Sequence, residues 1–370
     1  MKILSKKGSD ILEKKIKTSS FVFSNVNDSR IRFGICDNGN VYSKNAQPAQ
    51  DIFQRRIARL YNSYTAFSNK TETVIEALLT ALAGGNEKIA VNSTTFPPLY
   101  NALLLTAYKK GIKLIEFNSP RSLHSAVEQG VKAVIMSSSS LECCNISVLR
   151  AGNICYKEKI PFIVDNTVAT VFAFNPFCYN VDIVLEMSQL ISAGDEKNSY
   201  ITMLEKSNFN WMYNNRYSKL YPFRKNNTPL TMYVRSRCKN INTYASKEIQ
   251  SEFYMLCEGL RTLENRINIY SQNTFLITKL LKKYSDEISY NLHRQKASLF
   301  LRAKILPEYT QFLKEKLSGI TVLNKNRLFS IYGCTSAYFE DNILYIKSGT
   351  EPTGYLTQLF KENSTLYNGE

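Results

Sequence analysis

Histidine is scarce in this chain: His124 and His293 are the only two, and the eight cysteines are dispersed without a C-x-x-C pair. Tetrahedral zinc sites draw on those residue types at short spacing, so the pattern argues against a zinc centre. No run of about 18 apolar residues is present to span a bilayer. The Met-Lys start lacks the apolar core of a signal peptide. The expected location is therefore the cytoplasm, with reduced thiols and no membrane contact. Also missing are Pro/Gly/Ser tracts, long blocks of like charge and internal repeats, so nothing argues for a disordered tail. Lys and Arg total 47 against 31 Asp and Glu, a net charge of +16. Basic pairs such as Lys14-Lys15, Arg55-Arg56, Lys109-Lys110 and Lys282-Lys283 are scattered. No nucleic-acid signature accompanies them, so they read as a solvated surface, and nucleic acid is not an expected partner.

What is present is enough chain for a large core. At 370 residues, two or more domains are expected. Residues 1–50 are polar and turn-rich and read as an extended arm. Helical spacing over Asp51–Leu60 and Thr73–Leu82 follows, the latter closed by Gly84-Gly85. Apolar runs of strand length then alternate with helical segments: Lys88–Val91, Tyr100–Lys109, Lys113–Phe117, Leu123–Gln129, Ala133–Met136, Val148–Lys157, Pro161–Val164 and Ile183–Leu185. That alternation predicts a mostly parallel sheet covered by helices, an α/β core over residues 51–245. After an aromatic and basic stretch, Asn208–Lys225, a long helix is predicted over Lys247–Tyr284. A turn region, Ser285–Ser298, then leads into strand and helix material at Leu299–Ile305, Pro307–Leu317, Gly319–Val322, Ser330–Gly333 and Ile343–Ile346, with a last helix near Thr353–Phe360. Residues 246–370 thus read as the long helix and a smaller α+β domain.

Ile163-Val164-Asp165-Asn166-Thr167-Val168-Ala169-Thr170 is similar to the V-D-N-T-F-A-T-P motif of the cystathionine γ-synthase, cystathionine lyase and O-acylhomoserine sulfhydrylase family. These are pyridoxal-phosphate (PLP) enzymes of cysteine and methionine metabolism. Three more stretches agree in order and spacing. Val41–Pro48 resembles the family's Y-S-R-x-x-N-P-T, Leu256–Arg266 its L-R-G-L-x-T-L-x-x-R helix, and Ser330–Ser336 its S-L-G-G-V-E-S turn. The resemblance implies the fold-type I architecture: an α/β domain with a mostly parallel seven-stranded sheet and helices on both faces, plus a smaller α+β C-terminal domain. It also implies a homodimer or homotetramer. Asp165 matches the aspartate that pairs with the pyridinium nitrogen of the cofactor, the interaction that makes the ring an electron sink. An aspartate before Asn-Thr at a strand end is equally a turn-former that binds nearby amides.

The departures fall on the chemistry. The family's D-I-V-x-H-S-A-T-K segment corresponds to Asp182–Leu190, and the position of the lysine that joins the cofactor covalently and shuttles protons is Leu190, which can do neither. The hydroxyls flanking it become Met187 and Gln189, leaving Ser188 between them. The S-G-M phosphate turn reads Asn69-Lys70-Thr71, and losing glycine works against close backbone approach to an anion. The ring-stacking tyrosine falls at Phe96, followed by Pro97 and Pro98, which supply no amide donors. Tyr42 and Lys44 match positions that reach the neighbouring subunit's cofactor, Lys44 replacing an arginine. The arginine that clamps the substrate carboxylate falls at Tyr345. Lys347, two residues on and hence on the same side of a strand, can supply charge but not a bidentate fork. The family's E-S-P-x-N-P loop corresponds to Ser137–Glu142, and the loop between Ser336 and Ile343 is short. The vestigial cofactor positions are therefore Asp165, Phe96, Tyr42, Lys44, Asn69, Lys70 and Ser188, and the substrate positions Tyr345 and Lys347. The combined losses point to a degenerate homologue without catalysis: a scaffold, a ligand binder or a subunit assembling with an active paralogue. The alternative is an active lyase or synthase that binds PLP non-covalently or through another lysine, with Lys70, Lys197 and Lys347 as candidates.

Overall fold

The computed structural model describes residues 48–143, 146–192, 199–211, 216–217, 220, 229–241, 247–293, 295–329 and 333–360. The expected arm, with Tyr42 and Lys44, lies almost entirely outside them, as do Lys197 and most of the aromatic-basic stretch. Helix α1, Pro48–Tyr61, turns Phe53, Ile57 and Tyr61 into the core and charged residues such as Arg55 and Arg56 to solvent. Strand β1, Thr65–Lys70, leads directly into α2, Thr71–Leu82. Alternation then proceeds through β2 (Lys88–Asn92), α3 (Pro97–Lys110), β3 (Lys113–Phe117), α4 (Pro120–Glu128), β4 (Val134–Ser137), α5 (Val148–Glu158) and β5 (Phe162–Asp165). A single turn, α6 (Thr170–Ala173), precedes β6 (Ile183–Met187) and β7 (Tyr200–Glu205).

The seven strands stand in the order β1-β7-β6-β5-β4-β2-β3. β7 runs antiparallel to both β1 and β6, while the pairs from β6 through β3 are parallel. β4, β5 and β6 are buried along their whole length, as parallel strands covered on both faces must be, and the antiparallel β7 is buried along its length too. Pattern reading finds neither β1 nor β7. β1 (TAFSNK) has only a short apolar centre, and its final residues are the expected phosphate turn Asn69-Lys70, which here completes a strand.

After α7 (Leu230–Ile241), the 35-residue α8, Lys247–Leu281, links two cores. Its Phe253, Leu263 and Tyr270 belong to the large one, whereas Ile277 and Leu281 join Leu301, Leu313, Leu344 and Leu356 in the second. The second core lies under an antiparallel sheet in the order β10-β11-β9-β8, formed by β8 (Ser285–His293), β9 (Lys296–Ile305), β10 (Ser336–Glu340) and β11 (Ile343–Lys347). Helices α9 (Pro307–Lys316) and α10 (Thr353–Phe360) complete it.

Two expectations are corrected here, at Ser285–Ser298 and Gly319–Val322, and the strand expected at Ser330–Gly333 lies mostly outside the described residues. The turn region Ser285–Ser298 holds β8 and the start of β9. Its polar composition hid an edge strand with Ile288, Tyr290 and Leu292 at period two. Between Ser336 and Ile343 the chain forms a tight hairpin, β10 and β11 pairing from Ser336↔Lys347 to Glu340↔Ile343. Gly319–Val322 is a 3-10 turn over Ser318–Ile320 followed by one isolated bridge, Thr321↔Ala337.

Candidate functional site

Parallel pairing brings the C-terminal ends of β4, β5 and β6 side by side, with Ser137 opposite Asp165 and Asp165 opposite Leu185. Ligands of open α/β sheets are held at this edge. Asp165 is buried, and each of its oxygens already has internal donors. The Ser137 hydroxyl donates to Oδ2 at 2.6 Å, and the Thr167 amide donates to Oδ1 at 3.0 Å, joined there by the Thr167 hydroxyl. Burial pushes the carboxyl up from its ordinary range, against these hydrogen bonds. Thr167 in turn accepts the Met187 amide at 2.9 Å, and Asn166 donates to the Phe174 carbonyl and the Tyr61 hydroxyl, both at 2.8 Å. The motif's turn thereby ties β5 to β6 and α1.

Phe96 and Asp165 meet through Ser137, whose hydroxyl accepts the Phe96 amide at 2.8 Å. The Phe96 ring is 3% exposed and packs edge-on against Phe329 at 5.1 Å, which packs likewise against Phe300 at 5.3 Å. Apolar rings from the small domain therefore cover Phe96.

Lys70 and Ser188 meet at Tyr200, with which Lys70 pairs across β1 and β7, while Asn69 pairs with the adjacent Ile201. The donors there are engaged internally. The Thr71 amide donates to the Ser199 carbonyl at 2.9 Å and the Lys70 amide to the Asn69 side chain at 2.7 Å. The Ser188 amide donates to the Tyr200 carbonyl at 2.8 Å, and the Ser188 hydroxyl accepts the Tyr200 amide at 3.1 Å. Lys70 is exposed. Leu190 is 2% exposed, within the large core. Its carbonyl and that of Ile191 accept from Arg266, whose guanidinium also reaches the Gly259 carbonyl at 2.9 Å. A Cβ on Gly259 would lie 1.9 Å from the Ile191 oxygen, so this helix approaches the loop as closely as only glycine permits.

On β11, Tyr345 and Lys347 lie on the sheet face toward the large core, while Leu344 and Ile346 face the second one. The Tyr345 hydroxyl donates to Glu142 at 3.0 Å, and Lys325 stands over its ring at 4.0 Å. Lys325 also binds Glu142 at 2.6 Å, with the Arg302 guanidinium 4.0 Å from the same carboxylate. A carboxylate of the chain itself thus occupies the cationic surround of Tyr345. Lys347 is 1% exposed.

Two groups escaped sequence reasoning. Glu186 is fully buried in β6, where its carboxyl accepts from Tyr61, and burial raises it to about 8. An acid within the apolar run Ile183–Met187 was the available signal. His293 lies against Phe174 at 4.8 Å and shares a 2.8 Å hydrogen bond with the Ser139 hydroxyl. Burial lowers it to about 4, so it is neutral at physiological pH. The run Ser137–Ser140 fastens the small domain to the large one, because the Ser140 amide also donates to Asn291 on β8 at 2.9 Å.

The family model of the Cys/Met metabolism PLP-dependent enzymes matches residues 7–298. Among curated proteins the chain is 24% identical over 282 residues to homocysteine synthase of Schizosaccharomyces pombe, and 21% over 293 residues to O-acetyl-L-homoserine sulfhydrylase of Leptospira meyeri. Those matches cover 72% of this chain in both cases but 66% and 65% of the relatives, just under two thirds of their lengths. Among solved structures, cystathionine gamma synthase from Xanthomonas oryzae, in complex with aminoacrylate and cysteine, superposes with a TM-score of 0.70 at 16% identity. That match covers 92% of this chain and 90% of the other. A Campylobacter jejuni structure described as an O-acetylhomoserine (thiol)-lyase candidate, with a pyridoxyl-lysine residue, superposes with a TM-score of 0.76 at 20% identity and 94% coverage of each chain. At these identities the structural likeness speaks for the fold.

Proposed function

The chain belongs to the Cys/Met metabolism PLP-dependent enzyme family, and on that premise we propose that it is a non-catalytic member, retained as a scaffold, a partner subunit or a ligand binder. The observation that carries this reading is Leu190: the position that matches the family's lysine holds a buried aliphatic side chain with no amine to offer. The residues around it do not fit the cofactor. Internal donors already take three of the roughly four acceptor sites of Asp165, which leaves a pyridinium at most one on Oδ2. A phosphate needs convergent free donors, and the amides of Lys70, Thr71 and Ser188 are engaged within the chain. Substrate recognition fails on the same grounds, with Glu142 seated among Tyr345, Lys325 and Arg302.

The test is a visible absorption spectrum of the purified protein, as isolated and after addition of PLP, followed by borohydride reduction and peptide mass mapping. A colourless protein with no adduct in the cleft is the expected result. One observation favours the active alternative: Lys347 is an amine buried on the sheet face toward the large core. A reduced adduct on the peptide containing Lys347 would replace the non-catalytic reading with it. Assembly as a homodimer, a homotetramer or a hetero-oligomer with an active paralogue is part of the proposal. So is cytoplasmic location, in keeping with Cys155, Cys238 and Cys257 as buried thiols and with no described helix long and apolar enough to cross a membrane. Light scattering and a pull-down against co-expressed family members test the assembly. Recovery of monomer alone would remove the partner-subunit role.

A further inference from the structure

The edge of the large sheet opposite Asp165 carries a cavity of about 820 Å³, within the size range of small-molecule sites. It is built where α5 turns into β5, where the chain enters β6, and where it leaves β7. Each of these turns holds a non-glycine residue in the left-handed region: Lys159 at φ 53°, Asn180 at φ 55° and Ser207 at φ 62°. Lys159 takes this conformation as the cap that ends α5, and Asn180 and Ser207 take it in the tight turns into β6 and out of β7.

The lining sorts by chemistry. At the base lies the largely buried carboxylate of Asp182, whose Oδ2 accepts the Phe162 amide at 2.9 Å. Burial raises this group to about 7. The half-buried Phe209 and Tyr156, 73% exposed, are aromatic residues of the lining, while the Phe177 ring is buried against Tyr61. Lys157, Lys159 and Lys206 also line the cavity, and the Lys206 amine lies 3.1 Å from the Phe177 carbonyl. A carboxylate at the base selects N–H donors, flat rings select a planar body, and lysines around the rim select an anion.

We propose that this cavity is a ligand site, separate from the strand ends at Asp165, for a small phosphorylated heterocycle whose ring N–H groups face Asp182 and whose phosphate meets Lys157, Lys159 and Lys206. A nucleoside monophosphate has this layout. Guanine is the sharpest probe, since its adjacent ring N–H and amino group match a carboxylate edge.

The test titrates the full chain calorimetrically with guanosine 5′-monophosphate, guanosine and inorganic phosphate. Saturable binding of the nucleotide is expected, with each fragment weaker by about tenfold or more. Asp182→Asn retains an oxygen for the Phe162 amide but places a carboxamide NH2, a donor, toward the ligand. Lys206→Gln retains a donor for the Phe177 carbonyl and removes the charge. Each is expected to weaken nucleotide binding about tenfold or more. Lys157→Glu, an exposed change that leaves folding aside, is expected to weaken the nucleotide and leave guanosine unchanged. Nucleotide binding is also expected to slow alkylation of Cys178, an exposed thiol in the lining, read by peptide mass. No saturable heat with the nucleotide, or binding indifferent to all three substitutions, would overturn the assignment.

Discussion

Substituting Glu186 by Gln should remove a pH dependence that the wild-type fold carries. Glu186 is completely buried, its Oε2 accepts from Tyr61, and Asp165 lies close enough to oppose a second negative charge. Its folded-state pKa of about 8 compares with 4.5 when free. Between those values the native state keeps a proton that the unfolded chain has released. Stability from this group is therefore intact below about 4.5 and declines as pH rises, until the loss is complete above about 8. At ~1.4 kcal/mol per pH unit the ceiling of the loss is about 5 kcal/mol. Asp182, at about 7, acts in the same direction over a lower window. His293, at about 4, acts oppositely between that value and 6.5, where the unfolded chain binds the extra proton. The difference between variant and wild type isolates Glu186 from both. Gln keeps an oxygen for the Tyr61 hydroxyl, so the two proteins should lie within ~1 kcal/mol of each other at about pH 5. At about pH 8.5 Glu186→Gln should be the more stable by several kcal/mol. Urea unfolding across that range, followed by circular dichroism, measures the gap. Parallel curves for the two proteins would refute the placement of a buried neutral acid at this position.

Three further outcomes follow from the same geometry. Gly259→Ala drives a methyl to within 1.9 Å of the Ile191 oxygen, so urea unfolding should show a loss of ~2 kcal/mol or more, which an exposed Gly→Ala control elsewhere would not. Arg266→Ala leaves the carbonyls of Leu190, Ile191 and Gly259 without their shared donor and should cost ~2–3 kcal/mol in the same assay. Leu190→Lys puts an amine in a site that is 2% exposed; it should lower the melting temperature and yield no PLP absorbance, and a PLP band would show that the lysine alone was missing.

The α/β alternation and most core segments were legible because strands buried on both faces are continuous apolar runs, which pattern reading finds directly. β8 was not, because an edge strand covered on one side keeps Asp286, Glu287 and Asn291 among its apolar residues. β1 was hidden because its last residues, Asn69 and Lys70, look like turn formers in isolation. At the site, the resemblance placed the family's lysine position at Leu190 from sequence. The contacts around the site could not be read, because Glu142 with Lys325, and Ser139 with His293, are pairings across domains that no local pattern encodes.

Asp165 shows why motif resemblance separates fold from chemistry only partly. The positions that match the family here are ones whose side chains hold backbone: Asp165 takes the Thr167 amide, Thr167 the Met187 amide, and Arg266 three carbonyls beside Leu190. Each would be kept by the demands of folding alone, with or without a cofactor. The positions that diverge, at 69–71, 190 and 345, are those that the resemblance aligns with residues serving bound molecules. In this chain they have been drawn into internal partners or apolar packing, as Thr71 with Ser199, Leu190 in the core and Tyr345 with Glu142 show. The aspartate at the end of β5 closes a turn in its own right, so the proposed loss of catalysis has to be tested at the positions where this chain and the resemblance part.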